Sequence, residues 1–161
     1  MKNLESEILR LQRQVVRLTK ENQWKQKAAF SAFHQKGTTQ VIKKSIETIV
    51  YNKVQLNIGG GYNESSGVFK VPVGGIYAFF FGIQVEPGKR MAVHFTWNGN
   101  PYLEAMAGKM SDYSTGSNML IINAKKDDCM WIQTHPHWYN LEKTYIRYDP
   151  NYFSGFLLYE T

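Results

Sequence analysis

Between Thr134 and Tyr152 the chain concentrates side chains suited to holding a ligand rather than transforming one. Trp138 and Tyr139 offer flat aromatic faces, and an indole or phenol ring can lie against the apolar face of a sugar. Asn140, Glu142, Arg147 and Asp149 supply donors and acceptors for hydroxyl groups. Trp138 is the best stacking candidate. The competing reading is that Trp138 and Tyr139 pack beneath the segment, as large aromatics usually do. As a loop the segment is long for a compact domain, and long loops often carry function.

His135-x-His137 belongs to the same stretch. On a strand, residues two apart share a face, so both imidazoles could meet one ion. A zinc site needs three or four ligands. His34 and His94 are far away in sequence, and no transition-metal site is expected from the pair alone.

Reaction chemistry has little to work with. Cys129 is the sole cysteine, which rules out an intrachain disulfide. Among Met130, Trp131 and Ile132 it reads as a small buried hydrophobe. Asp127-Asp128 are adjacent on an expected turn, so their carboxylates should diverge. Gly59-Gly60-Gly61 does not match the spacing of a phosphate-cradling loop and reads as a turn. No catalytic triad or metal-hydrolase motif is present, and the chain is not expected to be an enzyme. Asn63-Glu64-Ser65 fits a glycosylation acceptor.

Charge narrows the partners. The net charge is +6, divided evenly: residues 1–25 carry six basic and three acidic groups, and the rest carries thirteen and ten. The basic residues are scattered rather than drawn into a stripe, and no nucleic-acid partner is expected. No apolar run reaches membrane-spanning length, and no membrane insertion is expected. No signal-type apolar region stands near the start, where Arg10 and Arg13 interrupt the hydrophobic residues.

These groups must be positioned by two kinds of element. Leu4, Ile8, Leu11, Val15 and Leu18 alternate four and three apart, which predicts a coiled-coil helix over residues 1–25. Three heptads are marginal alone, so the helix should require partner helices. β-branched residues at one seam position with Leu at the other favour two strands, which conflicts with the three-fold head argued below. The head decides, because its interface should be larger. Residues 26–161 read as short strands. Strand-like runs cover Thr48–Leu56, Ile76–Val85, Arg90–Trp97, Asn118–Ala124, Cys129–Thr134 and Phe153–Tyr159. Asn98-Gly99 is a hairpin turn. Many short strands between turn signals indicate an all-β sandwich or jelly roll.

Several segments, in order, resemble the globular head of complement first component q, in the tumour necrosis factor-like superfamily. They are Ala29-Phe30-Ser31-Ala32, Gly67-Val68-Phe69 leading to Pro72, and Gly75-Ile76-Tyr77-Ala78-Phe79. Ser114-Thr115-Gly116-Ser117, Asp127-Asp128-Cys129-Met130-Trp131-Ile132 and Phe153-Ser154-Gly155-Phe156-Leu157-Leu158-Tyr159 follow. The resemblance covers roughly residues 28–160. It implies a ten-stranded jelly roll, a secreted homotrimer with aromatic strands toward the axis, and binding rather than catalysis. Consecutive Phe79, Phe80 and Phe81 suit that plan, since one strand face can fill the sandwich and the other a neighbour. Where family members hold calcium, an acidic residue lies at the place of Asp112. The Tyr113 carbonyl, Glu104, Glu142 and Asp149 are candidate helpers, and Ca²⁺ takes six to eight oxygens. By analogy with invertebrate members that are lectins, the expected activity is calcium-dependent binding of glycans, terminal galactose first. Trp138, Tyr139, Asn140, Arg147 and His137 are the expected sugar contacts. Sialic acid, or a protein target in a pattern-recognition role, is the rival.

Overall fold

The computed structural model describes residues 2–23, 27–34, 39–41, 46–108, 110–139, 145–147 and 151–161. Among the described residues, one helix, α1 (Lys2–Gln23), precedes twelve strands. The strands are β1 (Ala29–Phe33), β2 (Thr39–Val41), β3 (Lys53–Ile58), β4 (Tyr62–Asn63), β5 (Val68–Lys70) and β6 (Gly75–Val85). Then come β7 (Met91–Trp97), β8 (Asn100–Ala107), β9 (Ser114–Ala124), β10 (Cys129–Tyr139), β11 (Tyr145–Arg147) and β12 (Tyr152–Glu160). Ten of them form two antiparallel sheets, ordered β3-β1-β12-β6-β9 and β4-β5-β10-β7-β8. β2 and β11 pair as a separate ribbon. The expected ten-stranded jelly roll is therefore present, with a two-stranded addition.

Alternation along the strands builds the core. Phe79 and Phe81 of β6 point inward and are fully buried, as are Met91, Val93 and Phe95 of β7. Phe30, Phe69, Phe79 and Phe153 form a continuous aromatic cluster, with the Phe30 and Phe69 rings stacked at 4.5 Å. Tyr62 is buried there because its hydroxyl is satisfied: it donates to the Tyr51 carbonyl and accepts from the Tyr51 N–H.

The outward face of the first sheet is also apolar. Register places Ile58, Ala29, Phe156, Ala78 and Ile121 in one row across all five strands. Leu56, Ser31, Ser154, Phe80 and Met119 form the next row. Ile58, Phe156, Ile121, Leu56 and Met119 are exposed in the single chain. The helix shows the same condition: Leu4, Ile8, Leu11, Val15 and Leu18 are 50–71% exposed. The expected seam is thus a free apolar stripe on the isolated chain.

Three local expectations change. Thr48 makes only a lone bridge, to Gln133, and the regular strand begins at Lys53. β10 runs on to Tyr139, so the first part of the stretch read as a loop after Thr134 is strand. Its continuation is possible because β7 pairs with it as far as Met91, through an irregularity after Thr134. Cys129 is half-buried rather than enclosed, because it opens β10 beside an exposed turn. The Asp127-Asp128 carboxylates diverge as expected. Asp127 pairs with Lys70 at 3.0 Å, while Asp128 accepts from Trp97 Nε1, Asn98 Nδ2 and the Lys125 N–H. Burial pushes the Asp128 carboxyl up, but those donors outweigh it and the net shift is downward.

Gly116 explains part of the Ser-Thr-Gly-Ser segment. β9 crosses close to β8 at the sandwich edge, and a Cβ on Gly116 would collide with the Met106 carbonyl. Beside it, Asn118 Nδ2 donates to the Glu104 carbonyl and Ser114 Oγ accepts from the Gly108 N–H. Gly116→Ala is expected to force this seam apart and cost about 1–3 kcal/mol, read as a lower urea midpoint.

Candidate functional site

Sheet direction decides where the loops gather. β6 begins opposite Ala124 and Glu160 and ends at Val85 opposite Ser114. At that second end the Gly88 N–H donates to the Met110 carbonyl, joining the β6–β7 turn to the β8–β9 loop. The Gln84 N–H donates to Asn151 Oδ1, fixing the start of β12 at the same end. β10 reaches it too, through Tyr139 opposite Met91. β1 runs toward it from Ala29, so the helix joins the head at the opposite end.

Asp112 and Tyr113 lie in the β8–β9 loop at the gathered end, both exposed. Asp112 Oδ1 accepts from the Tyr113 N–H at 2.7 Å. Trp138 and Tyr139 finish β10 and Arg147 finishes β11, so topology brings these backbones to the same end. Their side chains, and Asn140, Glu142 and Asp149 altogether, lie outside the described residues. His137 is exposed. Asn63 is exposed in a tight turn, its Oδ1 accepting from the Ser65 and Ser66 N–H groups.

Glu104 and the histidines form a separate cluster on the second sheet. His94 on β7 faces Glu104 on β8 in register, and Gln133 on β10 faces His94 from the other side. Two residues on from Gln133, His135 shares that face. Its Nε2 is 3.6 Å from Glu104 Oε2, and His94 Nε2 is 3.3 Å from the same oxygen. The two imidazole centroids are 4.6 Å apart. The His94 and His135 side chains are only 15% and 16% exposed, and Glu104 is 35% exposed. Burial lowers the His135 pKa, and nearby His94 and His137 lower it further while Glu104 opposes them. His135 is therefore neutral at physiological pH. His135 Nδ1 accepts from the His137 N–H at 3.0 Å, which places the neutral ring's proton on Nε2.

Sequence reasoning found His135 and Glu104 separately and set His94 aside as remote. The hairpin signal could have linked them. Asn98 and Gly99 both adopt positive φ, 48° and 85°, as a two-residue turn of this type requires. Continued without a break, that turn would set His94 against Leu103. A register shift between Phe95 and Thr96 inserts one residue in β8, so Glu104 faces His94 instead.

Two antiparallel five-stranded sheets closed face to face, with loops collected at one end, define a jelly-roll head of the tumour necrosis factor type. The C1q-domain family model matches residues 29–158, and the chain belongs to that family. Complement C1q tumor necrosis factor-related protein 2 of mouse is 30% identical over 137 residues, covering 83% of this chain and 44% of that protein. Human Complement C1q tumor necrosis factor-related protein 3 is 30% identical over 115 residues, covering 70% and 45%. The chain thus spans less than half the length of these relatives. Among solved structures, the globular domain of zebrafish complement 1qA superposes with a TM-score of 0.68 at 22% identity, covering 84% of this chain and 99% of that one. Eiger TNF from S. frugiperda gives a TM-score of 0.64 at 8% identity, covering 84% and 94%. These likenesses concern the fold.

Proposed function

We propose that the chain works as a secreted, homotrimeric recognition head that binds glycans through its loop end, with calcium as a helper. The observation that carries the trimer is the open apolar face of the first sheet, two rows deep, matched by the unpartnered seam of the helix. Water-exposed apolar area of that kind marks a surface meant for other copies or partners. Three copies packed on those rows with loops at one end would present their sites together. Weak sites presented together gain avidity.

The lectin reading is finer, and the composition of the loop end supports it. Asp112 offers an exposed carboxylate there, beside the Tyr113 carbonyl. One carboxylate per chain is too few for calcium, so the ion would draw on neighbouring copies or on Glu142 and Asp149. The ion would bridge sugar hydroxyls, while Trp138, Tyr139, Asn140, Arg147 and His137 would orient the ring. Terminal galactose, with its adjacent equatorial and axial hydroxyls, is the first ligand to test. A glycan array probed with the intact trimer should show binding to clustered galactosides that EDTA abolishes. Asp112→Asn should reproduce the loss. A trimer that binds no glycan would leave protein recognition as the role, and sialylated hits that survive EDTA would remove calcium from the mechanism.

A further inference from the structure

We propose that His94, Glu104 and His135 form a divalent transition-metal site, best suited to zinc, that is separate from the loop end. Two imidazoles and a carboxylate are a standard three-ligand set for zinc, which leaves a fourth position for water or a further group. The three ligand atoms lie within 4.8 Å of one another. A tetrahedral zinc with nitrogen and oxygen ligands sets them about 3.3 Å apart, given bonds of roughly 2.0–2.1 Å. The His94–Glu104 and His135–Glu104 separations of 3.3 and 3.6 Å already match. Only the two imidazoles need to adjust.

The scaffold is rigid and the donors are available. Each ligand comes from a different strand of one hydrogen-bonded sheet, β7, β8 and β10, so a bound ion would tie three strands together. His94 Nδ1 is buried and has no partner among the described residues. Because Nε2 faces the Glu104 carboxylate at 3.3 Å, it carries the His94 proton, and an ion at Nε2 would send that proton to the unpartnered Nδ1 without breaking another hydrogen bond. His135 must change more. Its Nε2 proton has to move to Nδ1, which breaks the hydrogen bond from the His137 N–H. His137 is exposed, its ring centroid is 5.8 Å from that of His135, and once released it can approach the fourth position. The site lies on the sheet opposite the apolar rows and is built within one chain, so it requires neither the trimer nor sugar binding.

Untagged full-length protein titrated with Zn²⁺ against a chromophoric chelator should take up one ion per chain. Glu104→Gln and His135→Gln should each weaken uptake by about 100-fold, at least the effect of losing an outer-shell partner. His137→Gln should cost no more than about tenfold on the same scale. Uptake should fall in acid, because zinc binds only the deprotonated imidazole. Two readouts use the unmodified chain and so do not depend on how a variant folds. Co²⁺ should give the intense visible absorption of a tetrahedral site, and zinc should shift the His137 amide resonance. The proposal is overturned if the unmodified chain takes up no zinc at micromolar free metal. It is equally overturned if a folded Glu104→Gln/His135→Gln double variant keeps full uptake, or if cobalt reports only an octahedral aquo-type spectrum.

Discussion

Phe156→Glu is expected to convert the proposed trimer, three times 18.6 kDa, into single 18.6 kDa chains. Phe156 does not belong to the core. It points outward from β12, is 41% exposed and stacks on Phe80 at 6.1 Å in the middle of the two apolar rows. Burying a whole phenylalanine side chain contributes about 1.5–3 kcal/mol, so covering the exposed 41% of this one contributes about 1 kcal/mol at each of the three places the proposed trimer repeats it. A glutamate there would instead be an unpaired buried charge, which costs several kcal/mol more. The helix cannot compensate, since three heptads are marginal on their own. Sedimentation equilibrium at micromolar concentration measures the outcome, and an unchanged far-UV spectrum verifies that the head still folds. If the variant stays trimeric, the copies meet on some other surface and the proposed arrangement fails.

Acid is expected to destabilise the head through His34. This side chain follows β1, is 4% exposed and lies 5.3 Å from the Tyr51 ring. Its Nε2 has no partner among the described residues. Burial lowers its pKa from 6.5 to about 4. The unfolded chain therefore binds a proton between those values that the folded chain refuses. Stability is fully present above pH 6.5, falls as pH drops toward 4 and levels off below. The difference corresponds to about 3 kcal/mol per chain. The lowered pKa of His135 adds a loss of the same sign, so the control must isolate His34. Urea unfolding at pH 7 and pH 4 should show a markedly smaller acid loss in His34→Phe than in the parent. Equal losses in the two chains would show that His34 is not the group responsible.

Much of this molecule was legible from periodicity and turn chemistry. Met91, Val93 and Phe95 alternate because one face of β7 is core, and Asn98-Gly99 turns the chain because both residues tolerate positive φ. The double role of β6 was readable from three consecutive phenylalanines. What stayed hidden depends on register. No local pattern shows that one extra residue in β8 moves Leu103 away from His94 and brings Glu104 to it, although a one-residue slip exchanges the two faces of a strand. The length of β10 was underestimated for a related reason. His135, Pro136 and His137 look like loop residues in isolation, yet they lie in strand between the pairs that Thr134 and Tyr139 make with β7.

The antiparallel pairing of β1 with β12 sets Ala29 beside Phe156, near the chain's last residues, while Phe33 and Tyr152 meet at the far end. Both extremities of the head consequently emerge on one side. A fluorophore, bead or fusion partner could be joined before Ala29 or after Thr161 without shading the opposite pole. For the same reason, a short linker between those two positions should permit circular permutation, with new ends opened in the exposed Gly59-Gly60 turn.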